Sequence, residues 1–166
     1  MPSLFFSAAL IAALALLPVA HAAKGHAHGE GRLDVAIGKE QIVLSLELPL
    51  DAAIGFERAP KNDKEKALLA AAAATLNDAA ALFLPTPAAS CTLHSVQIDM
   101  PQFDGGAHAD IAANYTFRCA NPAALKSIET TLFRSFKRLY RIEVQRVSPA
   151  GQGAARLSPK QSVLSW

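Results

Sequence analysis

The sequence is poor in cysteine and lacks the common catalytic motifs. Its 166 residues contain two cysteines, neither in a Cys-x-x-Cys pair, and no Gly-x-Ser-x-Gly, His-Glu-x-x-His, P-loop or Gly-x-Gly-x-x-Gly motif. These absences remove the sequence signatures of serine hydrolases, zincin proteases and nucleotide-binding enzymes. We therefore expect a protein that is not an enzyme. A hydrolase that uses metal-bound water is the alternative, and it would need a deep pocket with an open coordination position.

Long apolar runs are also missing, except near the N-terminus. Residues 4–17 (LFFSAALIAALALL) are uncharged but shorter than the roughly 20 apolar residues that span a bilayer. Pro18 breaks the run, and Ala20-His21-Ala22 offers the small residues that signal peptidase prefers. We predict a signal peptide over residues 1–22 and export of residues 23–166, without stable membrane insertion. Because no Lys or Arg precedes the run, an uncleaved anchor is the alternative.

The two cysteines, Cys91 and Cys119, are an even pair in a chain that is expected to reach an oxidising compartment. We expect them to form one disulfide, which would stabilise the fold by roughly 3 kcal/mol in the chain-entropy model. A thiolate pair that binds metal is the alternative.

Charge is distributed unevenly along the chain. Residues 23–117 contain seven Lys/Arg against twelve Asp/Glu, a net charge of −5, and residues 118–166 contain nine against two, a net charge of +7. An acidic first part suits cations, and a basic last part suits anionic surfaces. Export and the lack of interleaved exposed aromatics exclude nucleic acid as the expected partner.

A basic cluster lies near the end of a predicted helix: Arg134, Lys137, Arg138 and Arg141. It either complements the helix dipole or binds an anionic partner such as acidic lipid head groups.

Apolar alternation and helix-capping residues predict an α+β domain over residues 32–166, preceded by a flexible tail over 23–31. Alternation predicts strands at 32–37, 41–48, 90–100, 108–119, 141–147 and 154–164. Capping by Asn62 or Asp63 predicts a helix over 63–76, and Asn121-Pro122 predicts one that runs to Leu139. The resulting order is ββαββαββ, a two-layer, mostly antiparallel sheet with two helices on one face.

Potential metal ligands follow the predicted cleavage site. His26, His28 and Glu30 lie within five residues, and imidazole with a nearby carboxylate suits zinc. The alternative is a polar tail without a ligand. Release of zinc would require moderate affinity, and protonation of the histidines near pH 6 should weaken binding.

A second group lies at the tip of the predicted 90–119 hairpin. His108 and Asp110 share a strand face, and Asp104 precedes them in a Gly-containing loop. We expect the tail and this tip to converge on one ion; a hydrated hairpin tip is the alternative. His94 shares a face with apolar residues, so we expect a hydrogen-bonded core histidine there rather than a ligand.

Five segments of the chain carry a family resemblance: 26–35 (HAHGEGRLDV), 55–60 (GFERAP), 91–93 (CTL), 108–111 (HADI) and 115–119 (YTFRC). Together they resemble the periplasmic zinc-uptake proteins of the ZrgA type over nearly all of residues 23–166. The resemblance implies a periplasmic protein of Gram-negative bacteria that binds zinc and passes it to the binding protein of an ABC transporter. Members often carry a long His/Asp/Glu-rich insertion before the position of His108, where this chain has only residues 104–107. The sequence therefore supports one site, or one weak site and a tail, rather than the buffering of many ions.

We therefore predict a periplasmic zinc-binding accessory protein with the ligands His26, His28, Glu30, His108 and Asp110. A structural or envelope-interaction domain that uses the basic cluster is the alternative function. Cu(II) or Ni(II) would be favoured if trimming made Lys24 the first residue, because His26 would then be third and the free amine, two amides and the imidazole could bind together.

Overall fold

The computed structural model describes residues 28–103 and 109–166 of the chain. In these ranges the strands are β1 (Glu30–Ile37), β2 (Gln41–Pro49), β3 (Phe83–Pro85), β4 (Cys91–Asp99), β5 (Asp110–Cys119), β6 (Ser127–Thr130), β7 (Arg141–Ser148), β8 (Gly151–Leu157) and β9 (Val163–Ser165). The helices are α1 (Leu50–Ile54), α2 (Asp63–Asn77), α3 (Ala79–Leu82) and α4 (Leu132–Ser135). The predicted mixture of a large sheet with helices is confirmed.

The first hairpin follows directly from the alternation in its sequence. β1 pairs antiparallel with β2, and this register places Leu33 opposite Leu46 and Val35 opposite Leu44. These four side chains are all buried. Since alternate residues of a strand face opposite sides, one apolar face of the hairpin enters the core and the other remains accessible.

A six-stranded sheet is built outwards from this hairpin in the order β4-β5-β2-β1-β7-β8. In this sheet β1 and β7 run parallel, and all the other pairs of neighbouring strands are antiparallel. At the β4–β5 edge, Cys91 lies directly opposite Cys119, and the two form a disulfide. The predicted hairpin and the predicted disulfide are therefore both confirmed.

His94 does not occupy the core position expected for it. The pairing of β4 with β5 shifts register between Leu93 and Ser95, a β-bulge that inserts His94 as an extra residue. Its side chain is exposed, while Val96 and Ile98 beyond the bulge are half-buried. Simple alternation failed here because a bulge changes which face each following residue occupies.

The first predicted long helix is present as α2. The Asn62 side chain accepts a hydrogen bond from the Glu65 backbone N–H at 2.9 Å, a helix N-cap that is typically worth about 1 kcal/mol. The body of the helix is rich in alanine, which has the highest helix propensity. Ala72 and Leu76 are the residues that this helix buries.

The helix predicted from Asn121 to Leu139 is wrong. After a 3₁₀ turn at Pro122–Ala124, the chain forms β6, which pairs with β3 on one side and β9 on the other in a second, three-stranded sheet. Four residues of the region are then helical, as α4. The β-branched residues Ile128, Thr130 and Thr131 favour the extended chain. The apolar stripe that suggested a helix is nevertheless buried throughout, at Leu125, Ile128, Leu132, Phe136 and Leu139.

The predicted sixth strand over residues 154–164 is two strands in different sheets. β8 pairs with β7 in the large sheet, whereas β9 pairs with β6 in the small one. Ser158 and Gln161 form an isolated bridge between them, so Pro159 occupies a turn rather than a strand interior.

The end of the large sheet where β1 begins gathers several chain segments. Asp110, the first residue of β5, lies opposite Pro49, the last residue of β2. Glu30 lies two residues beyond the Arg32–Glu47 pair, at the same end. α1 starts directly after Pro49, so its first turn is also at this end. The start of β1, the end of β2 and the start of β5 are therefore brought together by the topology.

Candidate metal-binding site

The candidate site begins with His28, in the turn that leads into β1. Its side chain is 76% exposed. The next residue, Gly29, has a left-handed backbone with a φ of 71°, which glycine adopts without a steric penalty. This glycine turns the chain so that β1 can begin at Glu30 while the imidazole of His28 points to the neighbouring α1 region.

Asp51, in the first turn of α1, provides the nearest carboxylate. Its Oδ2 lies 3.1 Å from Nδ1 of His28, and its side chain is 20% exposed. The other carboxylate oxygen, Oδ1, is buried and has no hydrogen-bond partner among the described residues. A buried carboxylate oxygen without a donor costs free energy, and an arriving cation would remove that cost.

Glu57 provides the second carboxylate. Its Oε1 lies 3.7 Å from Nδ1 of His28, and its side chain is 15% exposed. Between the two acids the chain is turned by Gly55, the C-cap of α1, whose φ is 92°. The turn brings Glu57 back towards Asp51, so that the loop after α1 and the first turn of α1 face the same histidine.

The loop that carries Glu57 is held to α2 by Arg58. The guanidinium of Arg58 donates to both carboxylate oxygens of Glu65 at 2.6 and 2.8 Å and lies 4.7 Å from the centre of the Phe56 ring. The side-chain hydrogen bond from Arg58, aided by the backbone N–H of Lys61, lowers the pKa of Glu65 to about 2. The same hydrogen bond raises the pKa of Arg58. Both groups therefore remain charged at neutral pH.

The distances in this group suit a small divalent cation. Ligand atoms of His28, Asp51 and Glu57 all lie within 4.8 Å of one another. Tetrahedral zinc with bonds of about 2.0–2.1 Å separates its ligand atoms by roughly 3.3–3.4 Å. The two separations from the imidazole, 3.1 and 3.7 Å, lie on either side of that value. One nitrogen and two carboxylate oxygens would hold zinc and leave at least one coordination position for a further ligand.

The chain matches the model of a known protein family. Residues 25–166 match the model of the ZrgA family zinc uptake protein. The chain belongs to this family of zinc uptake proteins. No curated protein matches the chain. Membership agrees with the resemblance found in the sequence, and the 55–60 segment (GFERAP) that contributed to it contains Gly55, Glu57 and Arg58, which shape one side of the candidate site.

The structure describes three of the five ligands predicted for this ZrgA-family chain, and these three have different surroundings. His28 lies in the group just described. Glu30 lies outside it and accepts hydrogen bonds from the guanidinium of Arg141 and from the Tyr140 hydroxyl. Asp110 is half-buried opposite Pro49, at the same end of the sheet as α1. His26 and His108 lie outside the described residues.

Asp51 and Glu57 were missed by sequence reasoning, because they are 23 and 29 residues from His28 and follow no ligand spacing. The acidic balance of residues 23–117 was a general indication of cation binding. The resembling segment at 55–60 gave a more specific one, since it contains an acid between a glycine and an arginine. Only the fold brings these acids to the histidine.

The residues of the basic cluster are dispersed in the structure rather than joined on one helix end. Arg134 pairs with Glu129, at 3.3 Å, and Arg141 pairs with Glu30. Arg138 lies against Gly55. In the part of the chain that the structure describes, no helix has the length and apolar character needed to cross a membrane.

Proposed function

We propose that this protein is a periplasmic zinc-binding accessory of zinc uptake, which captures the ion at the end of the sheet and passes it to an importer. The observation that carries the proposal is the meeting of His28, Asp51 and Glu57 within 4.8 Å in a chain of a zinc uptake family. Two carboxylates neutralise the charge of the ion, and the imidazole supplies the nitrogen ligand that zinc favours.

Further donors come from the segments on either side of this group. His26 precedes His28 by two residues, and His108 precedes Asp110 by two. Asp110 starts β5 opposite Pro49, next to the first turn of α1. We assign His26, His108 and Asp110 to the completion of the zinc site, and Glu30 to the anchoring of β1.

Partial exposure of the site supports transfer rather than permanent storage. His28 is largely exposed, whereas the two acids are mostly covered. An exposed ligand can be replaced by a ligand of a partner protein without unfolding the site. A groove of about 680 Å³ lies near Cys91, Leu93 and Phe117, and its lining includes none of the three ligands.

Zinc titration by calorimetry on residues 23–166 tests the proposal. We expect His28→Ala to weaken zinc binding at least tenfold, since it removes the only nitrogen ligand of the described group. His94→Ala is the matched control, because His94 is also an exposed histidine but lies on the bulge of β4. Equal affinity of the wild-type and His28→Ala proteins, or no zinc binding by the wild-type protein, would overturn the assignment.

The two acids and the flanking histidines form a second series in the same assay. Asp51→Asn and Glu57→Gln keep the shape of each side chain and remove its charge, and we expect each to weaken binding. Asp34→Asn is their control, since Asp34 is an exposed acid on β1. The double variant His26→Ala/His108→Ala measures whether the flanking histidines contribute; unchanged affinity would remove them from the ligand set.

A further inference from the structure

One loop contacts both of the segments that carry the candidate ligands. Residues 136–140 connect α4 to β7, and the loop is anchored by Phe136 and Leu139, which are both buried. The Leu139 backbone N–H donates to the Phe136 carbonyl at 3.1 Å. Arg138 lies between these anchors and Tyr140 follows them, and both lie against Gly29, the residue after His28.

Tyr140 holds the segment that carries His28. Its backbone N–H donates to the Gly29 carbonyl at 3.0 Å, and its hydroxyl donates to Glu30 at 2.9 Å. Its ring lies so close to Gly29 that an added Cβ there would be 2.6 Å from a ring carbon. Tyr140 is 49% exposed, so its ring covers the outside of this turn rather than filling the core.

Arg138 reaches both segments at once. Its backbone carbonyl lies 2.8 Å from the position of a Cβ on Gly29, beside His28. Its guanidinium lies on the other segment, with Nε 2.9 Å from the position of a Cβ on Gly55. Gly55 separates Asp51 from Glu57, so a single residue touches the turn that presents the histidine and the turn that presents the acids.

We propose that Arg138 and Tyr140 are positioning residues of the zinc site, which hold the His28 turn against the Asp51–Glu57 turn before the ion arrives. The inference rests on the proposed function. Its physical basis is preorganisation: a ligand segment that is already ordered does not lose backbone freedom when the ion binds, so more of the interaction appears as affinity. Gly29 and Gly55 both have a positive φ, and an added Cβ would lie 2.6 Å from Tyr140 or 2.9 Å from Arg138, which fits two turns packed tightly against one loop.

The experiment measures zinc affinity and metal-free stability on the same variants of residues 23–166. We expect Tyr140→Ala to weaken zinc binding about tenfold, equivalent to about 1.4 kcal/mol, because the His28 turn must then be ordered by the ion. Tyr140→Phe keeps the ring against Gly29 and loses only the hydrogen bond to Glu30, so it should retain most of the wild-type zinc affinity. Arg138→Met removes the guanidinium from Gly55 and should weaken binding severalfold.

A matched aromatic separates positioning from general stability. Trp166 stacks on Arg146 at 5.5 Å, much as Tyr140 does on Arg141 at 5.7 Å, but Arg146 lies five residues further along β7. Trp166→Ala should lower the melting temperature and leave zinc affinity unchanged. Co²⁺ absorption adds a direct readout, since loosened ligands change the visible spectrum of the bound ion.

The outcomes separate this inference from the proposed function. If His28→Ala weakens zinc binding but Tyr140→Ala and Arg138→Met both stay within twofold of the wild-type affinity, the positioning role is refuted and the site stands. If His28→Ala has no effect, the proposed site itself fails. Should Tyr140→Ala not fold, Tyr140→Phe and Arg138→Met still decide, because severalfold weaker binding by Arg138→Met at an unchanged melting temperature supports positioning.

Discussion

The carboxylate of Asp51 should lower the stability of the metal-free protein and raise its affinity for zinc. Its Oδ1 is buried without a hydrogen-bond partner among the described residues, and it lies close to the acid Glu57. An unpaired buried polar atom costs about 1–3 kcal/mol. Against this, Asp51 gains roughly 0.3–1 kcal/mol from the helix start and about 0.5 kcal/mol from the exposed contact with His28. We therefore expect Asp51→Ala to stabilise the metal-free protein by about 1 kcal/mol.

Thermal unfolding followed by circular dichroism measures this balance. In EDTA the melting temperature of Asp51→Ala should exceed that of the wild type by about 3–5 °C, the usual effect of 1 kcal/mol in a domain of this size. In zinc at about one hundred times the wild-type dissociation constant, the wild type gains about 2.7 kcal/mol and should become the more stable protein. The order of the two melting temperatures thus reverses with metal.

An exposed acid serves as the control for the Asp51 substitution. Asp34 pairs with Arg32 on the surface of β1, so Asp34→Ala should change stability by less than about 0.5 kcal/mol in either buffer. A metal-free Asp51→Ala protein less stable than the wild type by 1 kcal/mol or more would show that Asp51 is a structural residue. That result would refute the reasoning, because a ligand carboxylate held without a donor must be a cost in the absence of the ion.

Three further predictions concern the supports of the fold and of the site. Glu65→Gln should lower the stability of the protein at neutral pH, because it removes the ionised carboxylate that pairs with Arg58. The difference in stability from the wild type should shrink as the pH falls from about 4.5 towards 2, since protonation of Glu65, whose pKa is lowered in the native state, removes the stabilisation from the wild type as well. Melting temperatures of both proteins across this pH range measure the effect. Reduction of the Cys91–Cys119 disulfide should lower the free energy of unfolding by roughly 3 kcal/mol in denaturant titrations. The zinc affinity should not change, since Cys119 lies nine residues, or about 30 Å, along β5 from Asp110. A loss of zinc affinity as large as the loss of stability would contradict this prediction. Gly55→Ala should lower both the melting temperature and the zinc affinity. Its φ of 92° is strained for alanine, and the added Cβ would press against the guanidinium of Arg138. An unaltered calorimetric titration would argue against a role of Gly55 in the site.

The parts of the fold that the sequence predicted well are those set by neighbouring residues. β1 and β2 are joined by a short turn, and their alternation is uninterrupted, so period and pairing agree. α2 has a side-chain cap and an alanine-rich body, which are also local properties. The disulfide was predicted from an even pair of cysteines and the expected oxidising compartment, and it joins two residues that lie opposite each other on paired strands.

The failures have the opposite character, since each depends on distant parts of the chain. Ile128 is three residues from Leu125 and four from Leu132, which suggested one helical face, but it pairs with Pro85 and Leu164 as a strand. Burial alone was predictable, because any structure that places these side chains inside satisfies the apolar pattern. Which backbone does so was decided by β3 and β9, neither of which the sequence identified as a partner.

The candidate site is non-local for the same reason, and this has a consequence for how it works. His28 precedes β1, Asp51 and Glu57 follow β2, and Arg138 precedes β7, and these strands are neighbours in the order β2-β1-β7. The candidate ligands and the proposed positioning residue Arg138 therefore meet only when the central strands of the sheet are paired. Because zinc would bind this arrangement and not the separate segments, the ion should stabilise the central strands, and hydrogen exchange of β1 and β7 amides should slow more on zinc addition than exchange in the β3-β6-β9 sheet. Equal slowing in both sheets would instead show that both exchange through unfolding of the whole fold, and it would contradict a local stabilisation of the central strands.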